Sequence, residues 1–184
     1  MKNKCLCQFV GALIFAVALP LFAREKTEDE LLADLASPKA RVVINALQDI
    51  EKQYPTDVNA LAKIKPLLTD NRPTVKRKAA RVLGAVNADV SDTDLQNIAT
   101  LLSGDKNDME DGLKALRGLK AQSTIPKIIP LLQNPDNNVK RDACRTLAVL
   151  GDSSLIPSIK PLLTFPDLGV QKDAADAISI LKEK

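Results

Sequence analysis

Five aliphatic anchors recur along the chain at intervals of about one helical hairpin, and this recurrence restricts the fold more than any other feature. Leu47, Leu83, Leu116, Leu147 and Ile178 are 36, 33, 31 and 31 residues apart. Four positions before the anchors stand Val43, Ala79, Gly112, Ala143 and Ala174. Three positions after them stand Ile50, Val86, Leu119, Leu150 and Leu181. Offsets −4, 0 and +3 share one side of an α-helix, so every copy holds a helix with one apolar face. Small residues at −4 allow neighbouring helices to approach closely. Ahead of these helices lie shorter apolar patterns: LAKIKPLL (61–68), LQNIATLL (95–102), IPKIIPLL (125–132) and IPSIKPLL (156–163), with DELLADLA (29–36) as a blurrier first copy. A period of this length made of two helices implies a stack of hairpins, each covering the apolar side of the next. Five units exceed the roughly three that such a stack needs.

Boundary residues agree with this register. Thr27-x-x-Glu30 is a capping box, and Ser91-x-x-Asp94 is a version with a shorter acid. Ser123 and Ser154 stand just ahead of the first helices of units four and five. Pro126 and Pro157 fall in a first helical turn, where proline is tolerated. Pro66, Pro130 and Pro161 share one column before Leu-Leu, where proline should kink the first helix. Residues 51–57 (EKQYPTD) read as the longest irregular link, a longer first connection and not a hinge. Residues 24–184 are therefore expected to form one repeat domain.

The strings LKAQSTIPKIIPLLQNPDNNVKRDACRTLAVL (119–150) and LGDSSLIPSIKPLLTFPDLGVQKDAADAISIL (150–181) resemble HEAT repeats of the short, bacterial HEAT-like type. The family pattern closes the first helix with Leu-Leu and turns through Asp and Pro. It then opens the second helix with Val-Arg-x-x-Ala-Ala-x-x-Leu. Val139 to Leu147 matches closely, with Lys140 at the family's Arg and Arg141 after it, and Val75 to Leu83 matches equally well. Unit three departs, with Asp108 at the Val position and Gly112-Leu113 at Ala-Ala, and unit one departs more. The resemblance covers about residues 27–183. It implies an all-α, right-handed α-solenoid whose second helices line the concave face, and it says little about function.

Composition removes most catalytic classes. The sequence has no His, no Trp, one Tyr and four Phe, three of them within residues 1–23. Without His there is no imidazole base, nucleophile or metal ligand. That excludes the di-iron hydroxylases that some HEAT-like proteins form from His-Glu pairs. Tyr54 and Phe165 alone give no platform for stacking bases or enclosing a flat chromophore, which argues against a DNA glycosylase or a bilin lyase of related fold. No Gly-rich phosphate loop and no nucleophile motif occurs. The adjacent acids Asp29/Glu30 and Glu110/Asp111 do not face each other on a helix. No enzymatic activity, metal or other cofactor is expected.

Residues 1–23 stand apart. Lys2 and Lys4 precede an uncharged stretch, 5–23, which contains Pro20 near its end and closes on the small Ala23 before Arg24. A basic start, an apolar middle and a small-residue exit are the layout of a secretory signal peptide, although Leu21 sits where a small residue is preferred. The stretch is also close to the roughly 20 residues that span a bilayer, so an uncleaved N-terminal anchor is the alternative. Cys5 and Cys7 precede the apolar core, the wrong place for a lipid-bearing Cys, and read as small apolar residues of the targeting segment. Removing residues 1–23 lowers the net charge from +3 to +1, which gives no global attraction for nucleic acid. It also leaves Cys144 as a lone thiol, without an internal disulfide, read as a small core residue. The expected location is periplasmic or secreted.

On the second helices, offsets −6 and −2 face away from the apolar side. The first column reads Arg41, Arg77, Glu110, Arg141 and Lys172, and the second Asn45, Arg81, Lys114, Arg145 and Asp176. Together with Lys76 they give a basic stripe, Lys76, Arg77, Arg81, Lys114, Arg141 and Arg145, along the expected concave face. The stripe has two readings. It is a docking face for an acidic protein segment, anionic headgroups or an envelope polyanion. Alternatively its cations pair with Asp70, Asp105, Asp136 and Asp167 from the turns, with Asp111 reaching Lys114 and Asp142 reaching Arg145. The sequence thus points to an exported, non-catalytic protein–protein interaction scaffold with an acidic partner. A membrane-tethered adaptor is the competing class, and an enzyme accessory or chromophore protein the third.

Overall fold

Each anchor sits in a helix, and each of these helices follows a shorter one. The computed structural model describes residues 24–184, so the expected signal segment 1–23 lies outside the described residues. The described residues contain ten α-helices and no strand. Unit one pairs α1 (Glu28–Leu35) with α2 (Ala40–Gln53), and unit two pairs α3 (Val58–Ile64) with α4 (Pro73–Ala85). Unit three pairs α5 (Asp92–Ala99) with α6 (Lys106–Gly118). Units four and five pair α7 (Ile125–Ile128) with α8 (Asn137–Leu150) and α9 (Ile156–Ile159) with α10 (Leu168–Lys182). The all-α solenoid expected from the repeat is the observed architecture.

The apolar columns form one continuous core. Leu47, Leu83, Leu116 and Leu147 are fully buried, and Ile178 nearly so. At +3, Ile50, Leu150 and Leu181 are buried, whereas Val86 and Leu119 are only partly covered, because α4 and α6 end just before them. Cys144 is fully buried, and burial pushes its thiol up to about 12. It is a packing residue with negligible thiolate at neutral pH.

Capping fixes where the helices start. Thr27 accepts from the Glu30 amide while Glu30 Oε2 accepts from the Thr27 amide at 2.9 Å. Ser91 and Asp94 form the second expected box. A third joins Asp105 and Asp108, with the Asp108 amide donating to Asp105 Oδ1 at 2.8 Å. This explains the departure of unit three: Asp108 replaces valine because it is the acid of a cap. Asp57, Asp136 and Asp167 also cap helix N-termini.

Two expectations need correction. The link at 51–57 is shorter than expected, because Glu51, Lys52 and Gln53 continue α2 and Glu51 accepts from Lys78 at 2.7 Å. Only Tyr54–Asp57 are irregular, where Pro55 cannot extend the helix. The proline column does not kink a continuous helix. In each case the α-helix stops and a 3-10 helix begins, at Lys65–Thr69, Ile129–Gln133 and Lys160–Thr164. Unit three makes the same change at Thr100–Ser103 with threonine in the proline column. The tightening therefore belongs to the unit, and proline fits it because its missing N–H is not required at a 3-10 start.

The second helices pack in the order α2, α4, α6, α8, α10, and more extensively than the first helices pack on one another. The second helices therefore form the more tightly packed, inner row of the stack. Closest approach falls between α4 and α6. A Cβ added to Gly84 would lie 2.5 Å from the Ala115 Cα, and one added to Gly118 would lie 2.1 Å from the Gly84 carbonyl oxygen. The −4 column works elsewhere: a Cβ on Gly112 would meet the Leu101 Cβ at 3.0 Å, so Gly112 sets the spacing within its own hairpin.

Candidate functional site

The basic stripe lies on the inner row, and most of its charges are already partnered. Arg141 Nε donates to Asp173 Oδ2 at 2.7 Å, and Arg145 Nη2 reaches the same oxygen at 2.9 Å. Asp173 is buried, with 8% of its side chain exposed, so both guanidiniums converge on a carboxylate largely withdrawn from water. This raises Arg141 further above its ordinary pKa. Arg145 also meets Asp142 at 3.3 Å, the i, i+3 pair expected from the sequence.

Between units two and three the contacts are looser. Arg77 lies 3.4 Å from Asp108, 3.6 Å from Asp105 and 3.8 Å from Asp111, and Arg81 lies 3.7 Å from Asp111. Asp111 therefore serves the preceding unit's arginines, where the expectation was Lys114. Lys114 instead approaches Glu110 at 3.9 Å, and Glu110 also receives Lys106 at 3.9 Å. Lys76 has no acidic partner among the described residues, and neither has Arg41. At the offset where unit three presents Asp111, unit two presents Lys78, which turns back to Glu51.

The acids of the ladder were expected in the turns and are found mainly on the helices. Asp111, Asp142 and Asp173 occupy offset −5, one residue after the −6 column; Asp111 and Asp173 receive cations from the unit before, and Asp142 receives Arg145 of its own helix. Of the turn acids, Asp70 holds the guanidinium of Arg72 at 2.6 and 2.8 Å, which lowers its pKa. Asp136 takes Lys106 at 2.9 Å and is lowered chiefly by that contact. Asp105 meets Arg77, and Asp167 accepts from Asn137 at 3.1 Å. The sequence carried a signal for the −5 column: three aspartates 31 residues apart in helices already aligned.

What remains open on the inner row is the −2 column. Side-chain exposure is 52% for Arg81, 44% for Lys114 and 45% for Arg145, against 20% for Arg77. A depression of about 240 Å³ between units three and four is lined by Glu110, Lys114, Asn138, Arg141, Asp142 and Arg145, so two acids offset two of its three cations. A second, of about 270 Å³, lies between α4 and α6 and has no acid in its lining. It brings in Arg117, a cation at offset +1 that the sequence reading passed over. Among the described residues, no group of three or more Cys, His or acidic side chains could hold a metal ion. No described helix is long and apolar enough to cross a membrane.

Residues 125–184, the last two hairpins, match the sequence model for HEAT repeats. The chain carries HEAT repeats. The three preceding units repeat the same HEAT-like hairpin at lower sequence similarity. No curated protein matches the sequence significantly. Solved structures share the HEAT-like solenoid. The CpcE–CpcF complex of phycocyanin lyase from Nostoc sp. PCC7120 aligns with a TM-score of 0.74 at 21% identity, covering 89% of this chain and 68% of that one. An engineered protein aligns at 0.60 and 22% identity, covering 83% and 78%. A designed armadillo repeat protein aligns at 0.57 and 19%, covering 83% and 81%. At these identities the likeness is one of fold.

Proposed function

We propose that this protein is an exported, non-catalytic interaction scaffold whose inner helix row receives an acidic segment of a protein partner. The observation that carries the reading is the division of labour along the stripe. Arg77 and Arg141 of the −6 column are tied into a ladder between units, while the −2 cations Arg81, Lys114 and Arg145, although they also touch acids, stay about half exposed on the same row. Guanidinium forks are planar, so they lose less side-chain freedom per hydrogen bond, and they match carboxylates. The aligned phycocyanin lyase structure is a complex of CpcE with CpcF, in keeping with a solenoid that acts by holding a partner. The apolar stretch at 5–23 supports export through a cleaved signal peptide.

The test is charge reversal of Arg81, Lys114 and Arg145 together, followed by quantitative capture from envelope extract. Loss of specific partners relative to the unaltered protein supports the reading, and an unchanged capture profile overturns it. Mass analysis of the mature N-terminus tests the export step: a start at Arg24 supports cleavage, whereas retention of residues 1–23 replaces it with the membrane-tethered adaptor.

A further inference from the structure

The acid-free depression between α4 and α6 has the composition of a site for a single anionic group. Arg81, Lys114 and Arg117 stand at its rim, and Gly84, Ala115 and Gly118 form its floor, where the two backbones touch. Two partial charges oppose the rim. The C-terminal ends of α4 and α6 present carbonyls worth together about one negative charge. Asp111 and Glu110 lie at 3.7 and 3.9 Å from Arg81 and Lys114, and each is shared with another cation, Arg77 or Lys106. Arg117 has no acidic partner among the described residues. Three cations against about one dipole charge and two shared, loosely held carboxylates leave the depression positive. The depression between α6 and α8 lies further toward the helix N-termini, and Glu110 and Asp142 enter its lining.

The floor matters as much as the rim. Gly84 and Gly118 lack side chains because the helices touch there: an added Cβ would run into the facing backbone, so the lining beside the contact is backbone and the Ala115 methyl. A group entering between the cations meets backbone and a methyl, so a short side chain with its carboxylate at the tip can seat there. We propose that this depression captures an aspartate or glutamate side chain of an extended acidic peptide segment, with Arg117 and Lys114 closing on the carboxylate and Arg81 on its flank. The inference rests on the acidic-partner reading above and gives that partner one anchoring point.

The experiment uses the full mature chain and a fluorescein-labelled dodecapeptide of alternating Glu and Ala, read by anisotropy at low and moderate salt. Arg117→Glu and the milder Arg117→Gln are compared with a double variant, Lys63→Glu with Lys160→Glu, which alters exposed cations of the first-helix row. The expected result is at least a ten-fold loss of affinity for Arg117→Glu and a smaller loss for Arg117→Gln, with less than two-fold change in the control. Equal losses in site and control variants, or no measurable binding by the unaltered protein, overturn the pocket. So does preferential binding of a phosphoserine peptide or of phosphatidylglycerol vesicles. If Arg145→Glu abolishes binding while Arg117→Glu does not, the acidic-partner reading stands and the pocket alone falls.

Discussion

Lys120 is held at φ 52°, in the left-handed region, directly after α6. The equivalent residue after α4, Asn87, sits at φ 49°. In both turns the next amide reaches back five residues to the anchor carbonyl, Ala88 to Leu83 and Ala121 to Leu116, each at 3.0 Å. This is the helix stop that glycine suits best and asparagine tolerates, whereas a lysine pays for its Cβ. Lys120→Gly should raise the urea midpoint by the equivalent of about 0.5–1 kcal/mol with an unchanged slope, because the strain relieved exceeds the entropy added to the unfolded chain. A lower midpoint would show that the lysine conformation is not strained. The sequence did not reveal this position, since the column holds two residues of different type. It did reveal Cys144, whose place among aligned small residues marks it as core.

At the scale of the element, the first helices carry two lessons. The change from α to 3-10 occurs with proline in units two, four and five and with threonine in unit three. Pro130→Ala should therefore leave the backbone in place and cost only about 0.5–1 kcal/mol, mostly through the freer unfolded chain. A loss above about 2 kcal/mol in a denaturant titration would mean that proline creates the 3-10 segment. Helix positions, caps at Thr27 and Ser91 and the five-unit register were legible in the sequence because they depend on neighbours within a few residues. The partners that the arginines find in the next unit were less legible, because they depend on the distance between units, set for α4 and α6 by Gly84 and Gly118 touching. The capping acids also set a pH response. Glu30, Asp136, Asp152 and Asp167 have pKa values lowered chiefly by hydrogen bonds, and Asp70 by the guanidinium of Arg72. A lowered folded-state pKa adds stability that is complete above the unfolded value and lost as pH falls through the folded one. The thermal midpoint should hold from pH 7 to about 5 and decline below about 4. A midpoint that stays flat to about pH 2 would show that these contacts do not contribute. The raised values of Arg72, Lys106 and Arg141 act only in strong alkali.

For the whole molecule, stability is close to a sum of unit and nearest-neighbour terms, and the ladder shows where one neighbour term is concentrated. Units four and five are joined by Arg141 and Arg145, both on Asp173, with Lys184 adding bonds of 2.7–3.0 Å to the carbonyls of Ala148, Val149 and Gly151 at the end of α8. The exposed side of α10 mixes polar Lys172, Asp176 and Ser179 with apolar Leu168, Ala175 and Ile180. Asp173→Ala removes the shared acceptor and leaves two guanidiniums without it. Both are a third to nearly half exposed, so water recovers part of the loss, and the expected cost is about 2 kcal/mol instead of the 3–5 of a fully buried pair. Because coupling passes only between neighbours, the loss should be local. Amide exchange should quicken in α10 and the second half of α8, while α2 and α4 keep their protection. Uniform loss across all five units would show that the stack opens as one cooperative body, with Asp173 acting on global stability and not on a single junction.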